Sequence, residues 1–150
     1  MSGGPALARL FAIAYRSLVG DLHTRLRERG FDDVRPAYGF VLLAAREGTT
    51  VTEVAALMGV TKQAASKMVD AMTAAGYLRR SADGGDARRR PVELSARGRR
   101  LLETVEAIYA ELEASWAAVI GRERVERLRD DLVAVLATAE GSLPPVRPTW

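Results

Sequence analysis

A chain of 150 residues, 48% hydrophobic and 27% charged, suits a single folded unit with an apolar core and excludes global disorder. With no cysteine and one histidine, His23, it excludes disulfides, thiol catalysis and a thiol-based oxidant sensor; no metal site and no other cofactor are expected. The net charge of +3 is uneven: from Gly76 to Arg100 eight arginines face three acidic residues, a net +5, and the rest sums to −2, so an anionic partner is expected there, most commonly nucleic acid.

No apolar run approaches the ~18 residues that span a bilayer. The first 18 residues are broken by Arg9 and Arg16 and lack a signal-peptide layout. A cytoplasmic chain with no membrane partner is expected. Leu7, Phe11, Ala14, Leu18, Leu22 and Leu26 recur at three and four, which predicts a long amphipathic helix over 5–29. A second helix, about 36–46, carries Tyr38, Val41, Leu42 and Ala45, with Pro36 in its first turn.

Thr52 is expected to cap a short helix, TEVAALM, that stops at Gly59, and Thr61 to cap the next, which runs to Gly76. Within VTEVAALMGVTKQAASKMVD, Val51 to Asp70, small Ala55 lets two backbones approach, and Gly59 supplies a positive φ at the turn. Val54, Met58, Val60, Ala65 and Met68 are apolar where two crossing helices pack. This describes a helix-turn-helix with its recognition helix over 61–75; an ordinary helical hairpin in a core is the alternative. Ala65, Met68, Val69 and Met72 are assigned to its inner face. Lys62, Gln63, Ser66 and Lys67 lie on the other, where Gln reads adenine, Lys reaches guanine or phosphate, and Ser66 suits phosphate.

Strands are expected over 77–81 and 91–94, joined through Gly84-Gly85, with Val92 and Leu94 alternating inward around Glu93 and Pro91 at the start or on an edge. A hairpin directly after a recognition helix is a wing, whose arginines suit a narrow minor groove. Asp86 is placed to orient Arg88, although the two also read as a weak surface pair. From Ser95 a stripe of Leu101, Val105, Ile108, Leu112, Trp116 and Val119 predicts a helix of about 25 residues. Gly121 interrupts it, and Val125, Leu128, Leu132, Val135, Leu136 and Ala139 mark a last helix. The expected class is therefore mainly α with a small β-hairpin wing, one unit over 1–150. It comprises a winged helix-turn-helix core (about 35–95), long helices at about 5–30 and 96–140, and a flexible tail at 141–150. Three long striped helices around so small a core leave apolar surface for a two-fold dimer.

The stretches TEVAALMGVTKQAASKMVDAMTAAGYLRR and DGGDARRRPVELSARG resemble the MarR (multiple antibiotic resistance regulator) transcription factors. The likeness covers about residues 7–140. The family's wing signature, Asp-x-Arg followed by Leu-Ser/Thr-x-x-Gly, falls on Asp86, Arg88, Leu94, Ser95 and Gly98. The resemblance implies a homodimer, joined through the long helices, that binds a pseudo-palindromic double-stranded DNA operator. Family members commonly repress a gene, and many release DNA on binding a small aromatic or anionic effector. It places DNA contacts on Lys62, Gln63, Ala64, Ser66 and Lys67, next to the cap residue Thr61, and on Asp86 and Arg88 in the wing. Ala64 stands where the family often has threonine, which removes a hydroxyl contact. Ala87 thins the wing by one charge, for which Arg89 and Arg90 compensate. An effector pocket between the long helices and the core would draw on Tyr15, His23, Tyr38 and Trp116, for each of which ordinary packing is the alternative.

No phosphate-binding glycine loop, HExxH helix or GxSxG elbow is present, and no enzymatic activity is expected. A winged-helix module for protein or RNA contact, without operator recognition, is the alternative function.

Overall fold

The computed structural model describes residues 3–81, 91–137 and 141. In chain order these form α1 (Leu7–Glu28), α2 (Tyr38–Ala45), α3 (Val51–Met58), α4 (Lys62–Ala74), β1 (Leu78–Arg80), β2 (Val92–Leu94), α5 (Ala96–Ile120) and α6 (Arg122–Leu136). The mainly α class with one small hairpin is the class expected from periodicity. The Gly84-Gly85 turn, Ala139 and all but the first residue of the 141–150 tail lie outside the described residues.

The core forms where the stripes converge. Leu101, Val105, Ile108 and Leu112 give α5 one buried face, which packs against α1 and α2. Leu22 and Leu26 of α1 and Val41, Leu42 and Ala45 of α2 belong to the same core. Each such leucine contributes roughly 1.5–3 kcal/mol by leaving water. The stripes outrun that core. In α1 only Leu22 and Leu26 are buried, and α6 buries no residue at all.

The start of α3 corrects one expectation. Its cap is Thr50, not Thr52: the Thr50 hydroxyl accepts from the Glu53 N–H at 3.2 Å, and the Glu53 carboxylate accepts from the Thr50 N–H at 3.1 Å. This reciprocal box needs a glutamate three residues on, which Thr50 has and Thr52 lacks. Thr50→Ala should therefore cost about 1 kcal/mol in denaturant unfolding, whereas Thr52→Ala should stay within about 0.5 kcal/mol of the parent. The reverse ranking would reject this cap.

The hairpin pairs Leu78 with Leu94, Arg79 with Glu93 and Arg80 with Val92. Val92 and Leu94 point inward around half-buried Glu93, as alternation requires. Arg79 and Glu93 form a 3.1 Å ion pair on the open face. Pro91 precedes β2, and its carbonyl accepts the Ser81 N–H at 2.8 Å. The other edge of Val92 is taken by Thr49, just before α3: the Thr49 N–H donates to the Val92 carbonyl at 2.9 Å, and the Val92 N–H donates back at 2.6 Å. That bridge locks the base of the hairpin to the helix-turn-helix.

One close approach fixes how β2 passes into α5. Ser95 caps α5 by accepting the Gly98 N–H at 2.9 Å, and its own N–H donates to the Tyr77 carbonyl at 3.0 Å. The Tyr77 carbonyl oxygen lies where a Cβ on Gly98 would be, 2.0 Å from the ideal position. Leu94, Ser95 and Gly98 thus seat the hairpin on the first turn of α5.

Candidate nucleic-acid interface

Gly59 ends α3 in the left-handed region, at φ 65° and ψ 34°, a conformation that costs glycine nothing. Val60 then donates its N–H to the Ala55 carbonyl at 3.1 Å, and Thr61 begins α4 by accepting the Ala64 N–H at 3.1 Å. Val54, Ala55 and Met58 of α3 and Ala65, Val69 and Met72 of α4 are buried in the common core, with Met68 packed against it. Val60 departs from the expected packing set. It is 39% exposed, because the left-handed turn sends the residue after it outward.

The opposite face of α4 is open. Thr61, Lys62, Gln63, Ala64 and Lys67 are exposed, and Ser66 is half-buried. Neither lysine takes part in an ion pair among the described residues. Thr61 uses its oxygen lone pair in the cap and keeps its hydroxyl proton to donate. Two cations, an amide and the free N–H groups of a helix start therefore share one side of a rigid 13-residue helix. Such a surface suits phosphate oxygens and base edges. Asp86, Arg88, Arg89 and Arg90 lie outside the described residues.

A polar cluster that sequence reading missed sits at the base of the hairpin. Tyr77 is fully buried, and a buried phenol needs a partner for its hydroxyl. That hydroxyl donates to the Asp33 carboxylate and accepts from Arg97 Nη2 at 3.2 Å. The Arg97 guanidinium lies over two rings, 4.9 Å from the centre of Tyr77 and 5.5 Å from that of Phe31. Burial, then the bond to Asp33, pushes the Tyr77 hydroxyl up to about 12, so it remains a donor at neutral pH. Only the polar tip on an otherwise apolar ring hints at this in sequence, since the partners are 44 and 20 residues away.

A cavity of about 280 Å³ opens between α1, α2 and α5. Leu22, Leu26, Leu102 and Val105 give it an apolar wall, with Arg35 and Glu106 among its polar lining. Of the four candidate pocket residues, Tyr15 and His23 line it together, joined by Tyr109. Burial, then the nearby Arg27, lowers the His23 pKa, against a hydrogen bond to the Val34 backbone that raises it. The two leading effects both disfavour the imidazolium. Burial, then Tyr15 and Glu106, raises the Tyr109 pKa. Tyr38 is instead a core residue, 5% exposed and edge-on to Tyr77 at 6.4 Å between ring centres. It falls on the same face of α2 as Val41, Leu42 and Ala45. Trp116 lines a separate apolar groove, with Leu18 of α1 and Leu132 and Leu136 of α6.

Among the described residues no group of three or more His, Asp or Glu side chains is placed to hold a metal ion, and no helix is long and apolar enough to cross a membrane.

Comparison with known proteins gives one family match: the MarR family model fits residues 40–89, one third of the chain, spanning the helix-turn-helix and β1 but ending before β2. No curated protein matches in sequence. Among solved structures, a MarR-family transcriptional regulator from Rhodococcus sp. RHA1 is 24% identical, with TM-score 0.64 over 88% of this chain and 96% of that one. A variant of MepR from S. aureus, bound to an oligodeoxyribonucleotide, is 20% identical, with TM-score 0.60 over 87% and 96%. CouR from Rhodococcus jostii RHA1, bound to p-coumaroyl-CoA, is 24% identical, with TM-score 0.63 over 87% and 92%.

Proposed function

Because this chain is a winged-helix protein of the MarR family, we propose that it is a homodimeric, sequence-specific regulator of transcription that binds double-stranded DNA. It acts as a repressor on a pseudo-palindromic operator, without enzymatic activity, and a small aromatic or anionic effector releases it. The observation that carries this reading is the outer face of α4. Lys62, Gln63 and Lys67 stand clear of the core on a helix whose inner face is fully committed to packing. The solved complex of a relative of this fold with an oligodeoxyribonucleotide supports the DNA assignment.

Pairing follows from what the single chain leaves uncovered. Leu7 is 69% exposed, Ile13 61%, Val119 84% and Val135 80%. So much apolar surface on the long helices marks an interaction face, and a two-fold dimer is the simplest way to cover it. Two recognition helices set one DNA turn apart, about 34 Å, would then read two half-sites. The cavity lies near the lower end of small-ligand pockets, roughly 300–1,000 Å³. Its apolar wall and half-buried His23 fit one small ring compound, with Arg35 available for an anionic substituent. The p-coumaroyl-CoA complex of CouR supports an effector on this fold.

Point variants test the interface. Gln63→Ala should relax preference at one base position in each half-site, read by selection from randomised duplexes. Lys67→Ala should weaken binding uniformly over sequences and reduce the salt slope by about 1 if it contacts phosphate. Arg88→Ala should cost roughly 1–3 kcal/mol of operator affinity. Unchanged base preference and unchanged affinity at matched salt in all three would remove the α4 and wing assignments.

A further inference from the structure

Asp33, Tyr77 and Arg97 meet where three distant parts of the chain converge. On one side of the cluster stands the cavity. Val34, Arg35 and Pro36, the residues directly after Asp33, line it, and the Val34 backbone holds His23. On the other side stands the hairpin. Tyr77 immediately precedes β1, its carbonyl accepts the Ser95 N–H at 3.0 Å, and the Ser95 hydroxyl donates to the Gly76 carbonyl. The Tyr77 hydroxyl joins the two sides by donating to the Asp33 carboxylate and accepting from Arg97, whose guanidinium also stacks on Phe31 at the foot of the same loop.

Building on the proposed function, we infer that the Asp33–Tyr77–Arg97 clasp carries the state of the cavity to the wing. Closed, it fixes the base of the hairpin in the orientation that meets DNA. A guest that displaces residues 34–36 draws the Asp33 carboxylate off the Tyr77 hydroxyl and frees that base. Hydrogen bonds to charged partners depend steeply on geometry, so a small displacement opens the clasp. Packed junctions of this kind switch between discrete arrangements and do not deform continuously. Tyr77 and Asp33 are positioning residues in this scheme. Neither has to touch DNA or effector.

Gly39 allows a test that needs no identified effector. It lines the cavity, and a Cβ built on it meets no heavy atom within 4 Å, so Gly39→Leu places a covalent guest there. Affinity for a duplex selected from a randomised pool is measured at fixed salt for the parent, Gly39→Leu, Tyr77→Phe and the double variant. Each single change should weaken binding roughly 10-fold, within the range usual for coupled sites. The double variant should also lose roughly 10-fold, not the 100-fold that independent effects would multiply to. Asp33→Asn, at an exposed loop position, repeats the cycle in case Tyr77→Phe disturbs folding, and thermal melts of every variant report on the fold. Singles that leave affinity unchanged, or a double variant that loses the full product, overturn the clasp while leaving DNA recognition intact. A parent that binds no duplex overturns the proposed function itself, and the clasp with it.

Discussion

Gly98→Ala is expected to destabilise the fold by about 3 kcal/mol or more, at the upper end of overpacking effects. Inside a helix alanine ordinarily gains about 1 kcal/mol over glycine, so the sign depends on what the new methyl meets. Here it meets the Tyr77 carbonyl oxygen at 2.0 Å, the Tyr77 carbonyl carbon at 3.0 Å and Leu94 Cδ2 at 3.3 Å. The first two are backbone atoms held by the Ser95 N–H, so no rotamer relieves the clash. The hairpin must lift from α5, and the contacts of buried Leu78, Val92 and Leu94 suffer with it. Gly20→Ala, on α1 with nothing within 4 Å of the added carbon, is the control and should be neutral or stabilising. Thermal melts at equal protein concentration compare the two. Equal behaviour would show that α5 and the hairpin do not approach this closely.

The second large effect concerns assembly. Ile13→Asp combined with Val135→Asp should dissociate the proposed dimer while leaving each chain folded. Both residues are mostly exposed in the single chain, at 61% and 80%, so charging them leaves the core untouched. At an interface the same carboxylates lose water without gaining a partner. A penalty of roughly 2–4 kcal/mol in total corresponds to a 30- to 1,000-fold rise in the dimer dissociation constant, at about 1.4 kcal/mol per tenfold. Sedimentation equilibrium reads the mass directly. Operator affinity should fall in parallel, because a lone chain engages one half-site. A dimer that survives both charges would place the interface elsewhere.

Residues differed in how much they disclosed in sequence. The Thr61 cap, the Gly59 turn and the inner face of α4 were legible, because capping and helical period act within a few residues. The alternation of Val92 and Leu94 was equally local. Thr50 and Thr52 compete for one cap, and only the position of Glu53 decides between them. Val60 is apolar yet turned out to solvent, and apolarity alone says nothing about direction after a left-handed residue. Tyr38 and Trp116, grouped with Tyr15 and His23 as aromatic candidates, went to the core and to another groove, since a shared chemistry does not imply a shared neighbourhood. The Thr49–Val92 bridge and the Asp33–Tyr77–Arg97 cluster join residues far apart in the chain and leave no period to detect.

The most direct measurement is selection of duplexes from a randomised pool by the purified chain, followed by titration of the enriched duplex over a range of salt. Two inverted half-sites about one helical turn apart are expected. Two chains should bind per duplex, and log affinity should fall linearly with log salt. A pool that emerges without any enriched sequence, from a chain that sediments as a single subunit, would contradict operator recognition by a dimer.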